Sequence, residues 1–255
     1  MCDKFWIATL RSQRQGRTES KSTMEKFAAF EEKIGVQFKD RAVLREAFTH
    51  RSYINETREK GLDHNERLEF LGDAVVELSV TDFLYKKYPQ ANEGDLTSYR
   101  AALVNAVTLG DLGIDLGMEA YLLLSKGEAK DKGTKARQII LANAFEALVG
   151  AIYLDLGYEV ADKFLKANLL GKTEEIVKKE LWRDAKSFFQ EEAQEHVGIT
   201  PSYRVMREEG PDHDKQFVVG VYLDKDLIAE GTGKSKQEAE QNAAGEGLKV
   251  KNWGK

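Results

Sequence analysis

The sequence predicts an all-α domain followed by a small α+β domain with the element order α-β-β-β-α. From Lys26 to about Lys179 the apolar residues recur with helical spacing, and Pro89 is the only proline in that stretch. After about Asp184 the pattern changes to one helix, three short segments in which apolar and polar residues alternate, and a final helix. Helices with short connections are typical of an all-α domain, and the second pattern fits a separate folding unit.

Individual elements follow from local signals. Phe27, Phe30 and Ile34 have the spacing of a first helix that ends near Gly35, and Asp40 is placed to cap a second helix. Residues 54–64 and 126–135 are rich in charged residues and glycine, which predicts loops. The remaining predicted elements are helices over about 65–88, 94–110, 135–156, 160–170 and 184–196, strands over 201–209, 216–223 and 227–231, and a helix over 234–250.

The predicted boundaries are a disordered tail over residues 1–23, the helical domain over 24–171, a linker over 172–183 and the second domain over 184–250. The tail is polar and locally basic, and its apolar piece, Phe5–Leu10, is too short for the core of a signal peptide. Two interpretations of the tail stay open: a weak RNA-contacting arm, and an upstream extension of a chain that starts at Met24.

Composition predicts a soluble globular protein, with 42% hydrophobic and 32% charged residues. Cys2 is the single cysteine, which excludes an internal disulfide and favours a reducing, cytoplasmic location. The longest apolar run, around Ala142–Leu154, is interrupted by Glu146 and Gly150, so no membrane span is expected. The net charge of −5 argues weakly against a nucleic-acid partner, although local basic patches remain compatible with it.

The stretch Asn65–Asp73 places three acids on one face of a predicted helix. Glu66, Glu69 and Asp73 are spaced at i, i+3 and i+7. Carboxylates gathered in this way repel one another unless a cation neutralises them, and Mg²⁺ prefers oxygen ligands. The alternative is a solvated acidic surface. A second face carries apolar residues at core-type spacing: Leu68, Leu71, Val75 and Leu78.

A second acidic element lies in the helix predicted over 135–156. Asn143 and Glu146 are separated by three residues and share a face. Small residues surround them, among them Gly150, and these allow another helix to approach closely. If this face meets the acidic face of the first helix, then Glu69, Asp73, Glu146 and the side-chain oxygen of Asn143 could enclose a Mg²⁺ ion. Alone, Glu146 could equally be a surface carboxylate.

The second domain is acidic, with eight Lys or Arg against fourteen Asp or Glu over residues 184–250, a formal net charge of −6. A general basic-patch argument for RNA binding therefore fails. Lys234 and Lys236, however, lie at the predicted start of the last helix, where their ammonium groups and the positive helix end would both face an anion. The four histidines lack the spacing of a zinc site.

Several segments carry a resemblance to known families. Four of them resemble the ribonuclease III family: Ala47–Tyr53, Asn65–Ala74, Glu93–Thr97 and Phe145–Asp155. Three later segments are similar to a double-stranded-RNA-binding domain: Tyr203–Val205, Gly210–His213 and Gly231–Glu240. Together they cover roughly residues 26–250, in the order of the bacterial two-domain proteins. The resemblance implies an all-α endonuclease domain followed by an α-β-β-β-α RNA-binding domain.

The resemblance also implies an activity. The family cuts double-stranded RNA as a homodimer with Mg²⁺, for which Mn²⁺ can substitute, and it leaves 5′-phosphate and 3′-hydroxyl ends with short 3′ overhangs. Such enzymes process ribosomal and messenger RNA precursors. By position, the metal-site residues are Glu69, Asp73, Asn143 and Glu146, with Asp73 and Glu146 most closely tied to catalysis.

Further residues acquire expected roles from the same resemblance. Glu66 and Glu93 match acids that lie along the RNA. Phe70 matches an aromatic residue that enters a pocket on the partner subunit, whereas its local spacing alone suggests an ordinary core aromatic. The expected RNA contacts of the second domain are Gln190, Glu191 and His213 in the minor groove and a phosphate clamp of Lys234, Ser235 and Lys236.

One position departs from the family pattern. Asn143 stands where the family usually has Asp, which removes one formal negative charge from the metal site. The retained acids favour an active enzyme. The rival hypothesis is a catalytically impaired protein that binds double-stranded RNA without cutting it.

Overall fold

A computed structural model describes residues 21–57, 59, 61–178, 185–211 and 215–253. The chain separates into two compact units, with the division between residues 181 and 182. Residues 1–20 of the predicted tail and residues 179–183 of the predicted linker lie outside the described residues.

The described part of the first unit is helical. Short 3-10 turns lie at Met118–Tyr121, Glu128–Lys130 and Leu170–Lys172. Its α-helices are α1 (Lys21–Ile34), α2 (Arg41–Ala47), α3 (Arg51–Glu56), α4 (Glu66–Lys87), α5 (Glu93–Val104), α6 (Ala106–Asp115), α7 (Lys135–Leu156), α8 (Tyr158–Asn168) and α9 (Thr173–Lys178).

The two long helices predicted over 65–88 and 135–156 are confirmed to within one residue as α4 and α7. Other elements differ from prediction. Helix α1 begins at Lys21, inside the predicted tail, and α3 extends to Glu56, inside the predicted loop. The single helix predicted over 94–110 is two helices, because the Asn105 side chain accepts a hydrogen bond from the Thr108 amide at 2.9 Å and caps α6.

Helix α7 is the centre of the first unit. It packs against α4 on one side and α6 on another. Its length and apolar composition would allow it to cross a membrane, but 67% of its most apolar window is buried inside the unit, as in the core helix of a soluble protein. Phe145 is fully buried and stacks on Phe164 of α8, with 6.0 Å between ring centroids.

The backbones of α4 and α7 approach each other through two glycines. A Cβ atom added to Gly72 would lie 1.7 Å from the carbonyl oxygen of Glu146. One added to Gly150 would lie 2.2 Å from the carbonyl oxygen of Leu68. Contacts below 3.0 Å are essentially never seen for real Cβ atoms, so these positions require glycine at this helix separation. The close approach expected at Gly150 is confirmed, and Gly72 supplies its counterpart.

The C-terminal end of α7 fixes the start of α2. The Asp155 carboxylate accepts hydrogen bonds from the backbone N–H groups of Lys39 at 2.6 Å and Asp40 at 3.2 Å. Asp40 in turn caps α2, as predicted, by accepting a hydrogen bond from the Ala42 amide at 3.0 Å. Because Asp155 is buried, these donors replace the water that its carboxylate would otherwise need.

The second unit has the predicted order α-β-β-β-α. Its elements are α10 (Ala185–Val197), β1 (Ser202–Glu209), β2 (Gln216–Leu223), β3 (Asp226–Gly233) and α11 (Lys236–Lys251). The strands form an antiparallel sheet in the order β1-β2-β3. Both helices and β2 contribute to one core, which includes Phe189 of α10, Val221 of β2 and Ala243 of α11.

The last helix begins two residues later than predicted. Ser235 is the N-cap of α11, and its side chain accepts a hydrogen bond from the Glu238 amide at 3.2 Å. Lys236 is therefore the first helical residue, and Lys234 precedes the cap. The predicted hairpin turn is present, with Asp224 in the left-handed region at φ 55°.

We expect the Gly72→Ala substitution to destabilise the protein by about 3 kcal/mol or more, because overpacking against a backbone carbonyl cannot be relieved by side-chain rotation. Urea denaturation followed by circular dichroism measures the loss. Gly171→Ala is the matched control, since a Cβ atom there meets no atom within 4 Å. Equal stability of the two variants would contradict the backbone contact.

Candidate active site

The crossing of α4 and α7 brings the four predicted metal-site residues together. Glu69 and Asp73 lie on α4, on either side of Gly72, and Asn143 and Glu146 lie on α7. Asn143 and Glu146 are the partly exposed residues in a turn of α7 whose other members are buried. The side chain of Asn143 hydrogen-bonds that of Glu69, so the two helices do meet through these faces, which spacing along the sequence could not establish.

The surroundings of these acids disfavour the ionised form of their carboxyl groups. Burial, together with the neighbouring carboxylates of Asp73, Glu69 and Glu77, raises the pKa of Glu146 from 4.5 to about 7. Burial also raises the pKa of Glu69, as do Glu66 and Asp73. Carboxyl groups with raised pKa values that share a partly buried site are characteristic of functional sites.

Asn143 contributes a hydrogen bond rather than a charge. Its side chain donates to the Glu69 carboxylate and thereby lowers the pKa of Glu69, against the effects of burial and of the neighbouring acids. An ionised Asp at this position would have no proton to donate and would add to the repulsion. Asn143 thus reduces the electrostatic strain of the site in the absence of a cation.

The acids at the two ends of the row have basic partners. Arg51 Nη1 lies 3.4 Å from Glu66 Oε1, and His64 Nδ1 lies 3.7 Å from the other Glu66 oxygen. Arg100 Nε lies 2.9 Å from Glu77 Oε2. Among the residues that the structure describes, no Lys, Arg or His forms an ion pair with the central acids, which are Glu69, Asp73 and Glu146.

The side chains fit a divalent cation by chemistry. Three carboxylates and one amide oxygen form the hard oxygen donor set that Mg²⁺ prefers. A cation would offset the repulsion that, in addition to burial, raises the pKa of Glu146. In their present positions, however, no three His, Cys, Asp or Glu side chains of the described residues converge closely enough to hold a metal ion. The carboxylates would therefore have to rotate toward one another.

Two contributors to the site were not predicted. Glu77 extends the acidic row by one helical turn, and the i+4 spacing from Asp73 was the available signal. Asn65 is buried, and its side-chain amide donates to the carbonyl oxygen of Ala47 at 3.2 Å. Its backbone N–H donates a hydrogen bond to the carbonyl oxygen of Thr49 at 2.9 Å. These bonds fix the start of α4, and the sequence offered no sign of them.

Phe70 is not a core residue. Its side chain is 82% exposed in the single chain, which rules out the interpretation as an ordinary core aromatic. Leu78 was also expected in the core and is 58% exposed. With Tyr85, these residues lie within about 80° of one another around α4, where they form an apolar strip beside the acids. Apolar strips of this kind are characteristic of interaction surfaces.

The residues expected to contact RNA are exposed where the structure describes them. Glu66 and Glu93 are the first residues of α4 and α5. In the second unit the exposed residues are Gln190 and Glu191 on α10 and Lys234, Ser235 and Lys236 at the start of α11. His213 lies outside the described residues. The roles of all of these residues stay predictions.

Comparison with family models assigns both units. Residues 40–173 match the ribonuclease-III-like family, and residues 185–251 match the double-stranded RNA binding motif. The chain is 44% identical over 224 residues to ribonuclease 3 of Bdellovibrio bacteriovorus, which covers 88% of this chain and 95% of the relative. It is 45% identical over 224 residues to ribonuclease 3 of Bacillus licheniformis, which covers 88% of this chain and 89% of that relative.

A solved structure agrees with this assignment. The nuclease domain of ribonuclease III from Campylobacter jejuni, described as flexible in a region involved in dimer formation, is 37% identical and superposes with a TM-score of 0.50. The match covers 56% of this chain and 94% of that domain. The crossed helices with their shared acids and the following α-β-β-β-α unit therefore have one explanation: the chain belongs to the ribonuclease III family of endoribonucleases and carries a double-stranded RNA binding domain.

Proposed function

We propose that this protein is a Mg²⁺-dependent endoribonuclease that hydrolyses double-stranded RNA as a homodimer. The products would carry 5′-phosphate and 3′-hydroxyl ends, and two sites related by the dimer axis would leave short 3′ overhangs. Ribosomal and messenger RNA precursors are the proposed substrates. The observation that carries the proposal is the meeting of Glu69, Asp73, Asn143 and Glu146 where α4 crosses α7.

The chemistry divides between the side chains and the cation. Glu69, Asp73 and Glu146 would hold Mg²⁺ through their carboxylates, and Asn143 through its side-chain oxygen. When bound, Mg²⁺ supplies Lewis-acid chemistry, which activates water and stabilises negative charge on the phosphate and the leaving 3′-oxygen. Because the pKa of Glu146 is raised to about 7 without metal, its carboxyl group is partly protonated near neutral pH, and a bound cation would favour the ionised form.

The exposed strip of α4 supports the homodimer. Phe70 is 82% and Tyr85 is 71% exposed, and both lie beside the acids. An aromatic side chain that enters a pocket of a partner would bury this surface and fix the position of the second active site. Two sites held in this way face the two strands of one duplex.

The alternative function is double-stranded RNA binding without cleavage, and Asn143 is the observation that favours it. An amide in place of a carboxylate lowers the charge that attracts Mg²⁺, and here the amide hydrogen-bonds Glu69. The three acids that remain favour the active enzyme.

A cleavage assay tests the proposal directly. Long, end-labelled duplex RNA is incubated with the full chain, with and without excess Mg²⁺. Staggered duplex products that require Mg²⁺ are the expected result. Binding of the duplex in a gel shift without any product would contradict the nuclease and support the alternative.

We expect Glu146→Gln to abolish cleavage while duplex binding is retained. The same substitution should change the pH dependence of stability in metal-free buffer. A carboxyl group whose pKa is raised from 4.5 to about 7 by folding stabilises the folded state less as pH rises through that interval. The unaltered protein should therefore lose about 1 kcal/mol between pH 5 and pH 8 from this partly exposed group, and the Gln variant should lose less.

Urea denaturation at both pH values measures the difference. Glu32→Gln, which removes an exposed acid of α1, is the control and should leave both cleavage and pH dependence unchanged. Retained cutting by the Glu146→Gln variant would show that the metal-site assignment is wrong.

We expect Asn143→Asp to lower the Mg²⁺ concentration needed for half-maximal cleavage, because it adds a fourth carboxylate. In metal-free buffer at pH 8 the same variant should be less stable than the unaltered protein, since it gains repulsion and loses the hydrogen bond to Glu69. Asn143→Ala loses the hydrogen bond without adding charge and serves as the control. Cutting by the Asp variant alone would favour the impaired-enzyme alternative.

We expect Phe70→Ala to weaken the homodimer by roughly 30-fold or more, as is typical of a buried aromatic at the centre of an interface. Sedimentation velocity over a range of protein concentrations measures the dissociation constant. Val250→Ala, which truncates an exposed apolar residue of the second unit, should leave it unchanged. A Phe70→Ala variant that dimerises as well as the Val250→Ala variant would count against this interface.

A further inference from the structure

Glu208 occupies a position on the RNA-binding unit that its predicted function does not explain. It lies near the end of β1, where it pairs across the sheet with Phe217 of β2. A negatively charged residue on a surface that binds RNA repels the RNA phosphates, so its presence there calls for a separate explanation.

Both oxygens of the Glu208 carboxylate face lysines. Oε2 lies 3.1 Å from the ammonium nitrogen of Lys215, which directly precedes β2. Oε1 lies 3.8 Å from the ammonium nitrogen of Lys236, the first residue of α11. The Lys236 ammonium also lies 5.6 Å from the centre of the Phe217 ring, which is close enough for a cation–π contact. One carboxylate thus lies between two cations that come from different elements.

We propose that Glu208, anchored through its other oxygen by Lys215, is a positioning residue that holds Lys236 in the free protein and competes with RNA phosphate for Lys236. The inference rests on the proposed function and on the role that the family resemblance implies for Lys236, which is contact with an RNA phosphate. For Lys236 to bind a phosphate with its full charge, it must leave the Glu208 carboxylate or bring that carboxylate close to the RNA backbone. Either event lowers the affinity for duplex RNA.

The geometry makes the competition reversible. The side chain of Lys236 is 60% exposed and that of Glu208 is 39% exposed, and exposed ion pairs of this kind are weak. A phosphate of a duplex that also contacts other residues of the domain therefore displaces the carboxylate readily, whereas an isolated anion competes with it less well. Glu208 reduces weak, non-specific attraction to RNA while the clamp remains available to a well-placed duplex.

The neighbouring acid provides a matched control. Glu209 follows Glu208 in β1, and successive residues of a strand face opposite sides of the sheet. Glu209 Oε1 pairs with the Arg207 side chain at 2.6 Å rather than with Lys236. Glu208→Gln and Glu209→Gln thus remove the same charge from adjacent positions, but only the first releases Lys236.

The test is the affinity of the full chain for a fluorescent 16-base-pair RNA duplex, measured by anisotropy in EDTA so that the duplex stays intact. We expect Glu208→Gln to bind roughly two- to fivefold more tightly than the unaltered protein, in line with the weakness of an exposed ion pair. Its affinity should also fall more steeply with salt, because more lysine charge is free to replace counterions. Glu209→Gln should resemble the unaltered protein in both respects.

A double variant tests whether the tighter RNA binding of Glu208→Gln comes from Lys236. Glu208→Gln combined with Lys236→Gln should bind no more tightly than Lys236→Gln alone. Persistence of the gain in the double variant, or an equal gain in Glu209→Gln, would overturn the competition. Duplex binding with no difference between Glu208→Gln and the unaltered protein would overturn this inference alone, whereas failure of the unaltered protein to bind duplex RNA would overturn the proposed function as well.

Discussion

The contact on which the first unit depends is one between backbones. Gly72 of α4 and Gly150 of α7 let the two helices approach until no Cβ atom fits between them. Side-chain packing tolerates small adjustments. A contact between a glycine of one helix and a backbone carbonyl oxygen of the other leaves no flexible side chain that could move. The separation of the two helices is therefore fixed at this point. Asp73 directly follows Gly72, and the carbonyl oxygen that faces Gly72 belongs to Glu146, so this contact constrains the backbones of both acids.

This rigidity determines the electrostatics of the site. Helices joined by side chains could move apart to relieve the repulsion among Glu69, Asp73 and Glu146, but these two helices can do so only by giving up the glycine contact. The repulsion instead adds to the effect of burial, which is the larger cause, in raising the pKa values of Glu146 and Glu69. The charges at the ends of the row are compensated by Arg51 and Arg100, so the uncompensated charge is concentrated where the helices cross.

Much of this arrangement can be predicted from the sequence. Helical periodicity located α4 and α7 to within a residue, and the spacing of the acids within each helix placed them on shared faces. Asn105 shows the limit of periodicity, because a side-chain cap divides a stretch that is helical in pattern throughout. The meeting of the two acidic faces is a long-range contact, and no local pattern encodes it.

The errors within α4 have one physical cause. Apolar spacing predicted that Leu78 would be buried, and local spacing alone suggested the same for Phe70, yet both are exposed in the single chain. Periodicity identifies apolar faces without distinguishing a face that packs inside the unit from one that another molecule could cover. The contacts of Glu208 were equally invisible, because Lys215 and Lys236 reach it from different elements of the fold.

The bond between Asp155 and the backbone of Lys39 bears on the order in which the protein folds. It joins positions 116 residues apart, so the start of α2 gains this anchor only after most of the first unit has been synthesised. Contacts of such long range form late, since the chain must close a large loop before they stabilise it. During translation, α2 therefore leaves the ribosome before Asp155, which holds its start, has been added to the chain. Until the end of α7 emerges, α2 lacks this anchor and stays accessible to chaperones and proteases.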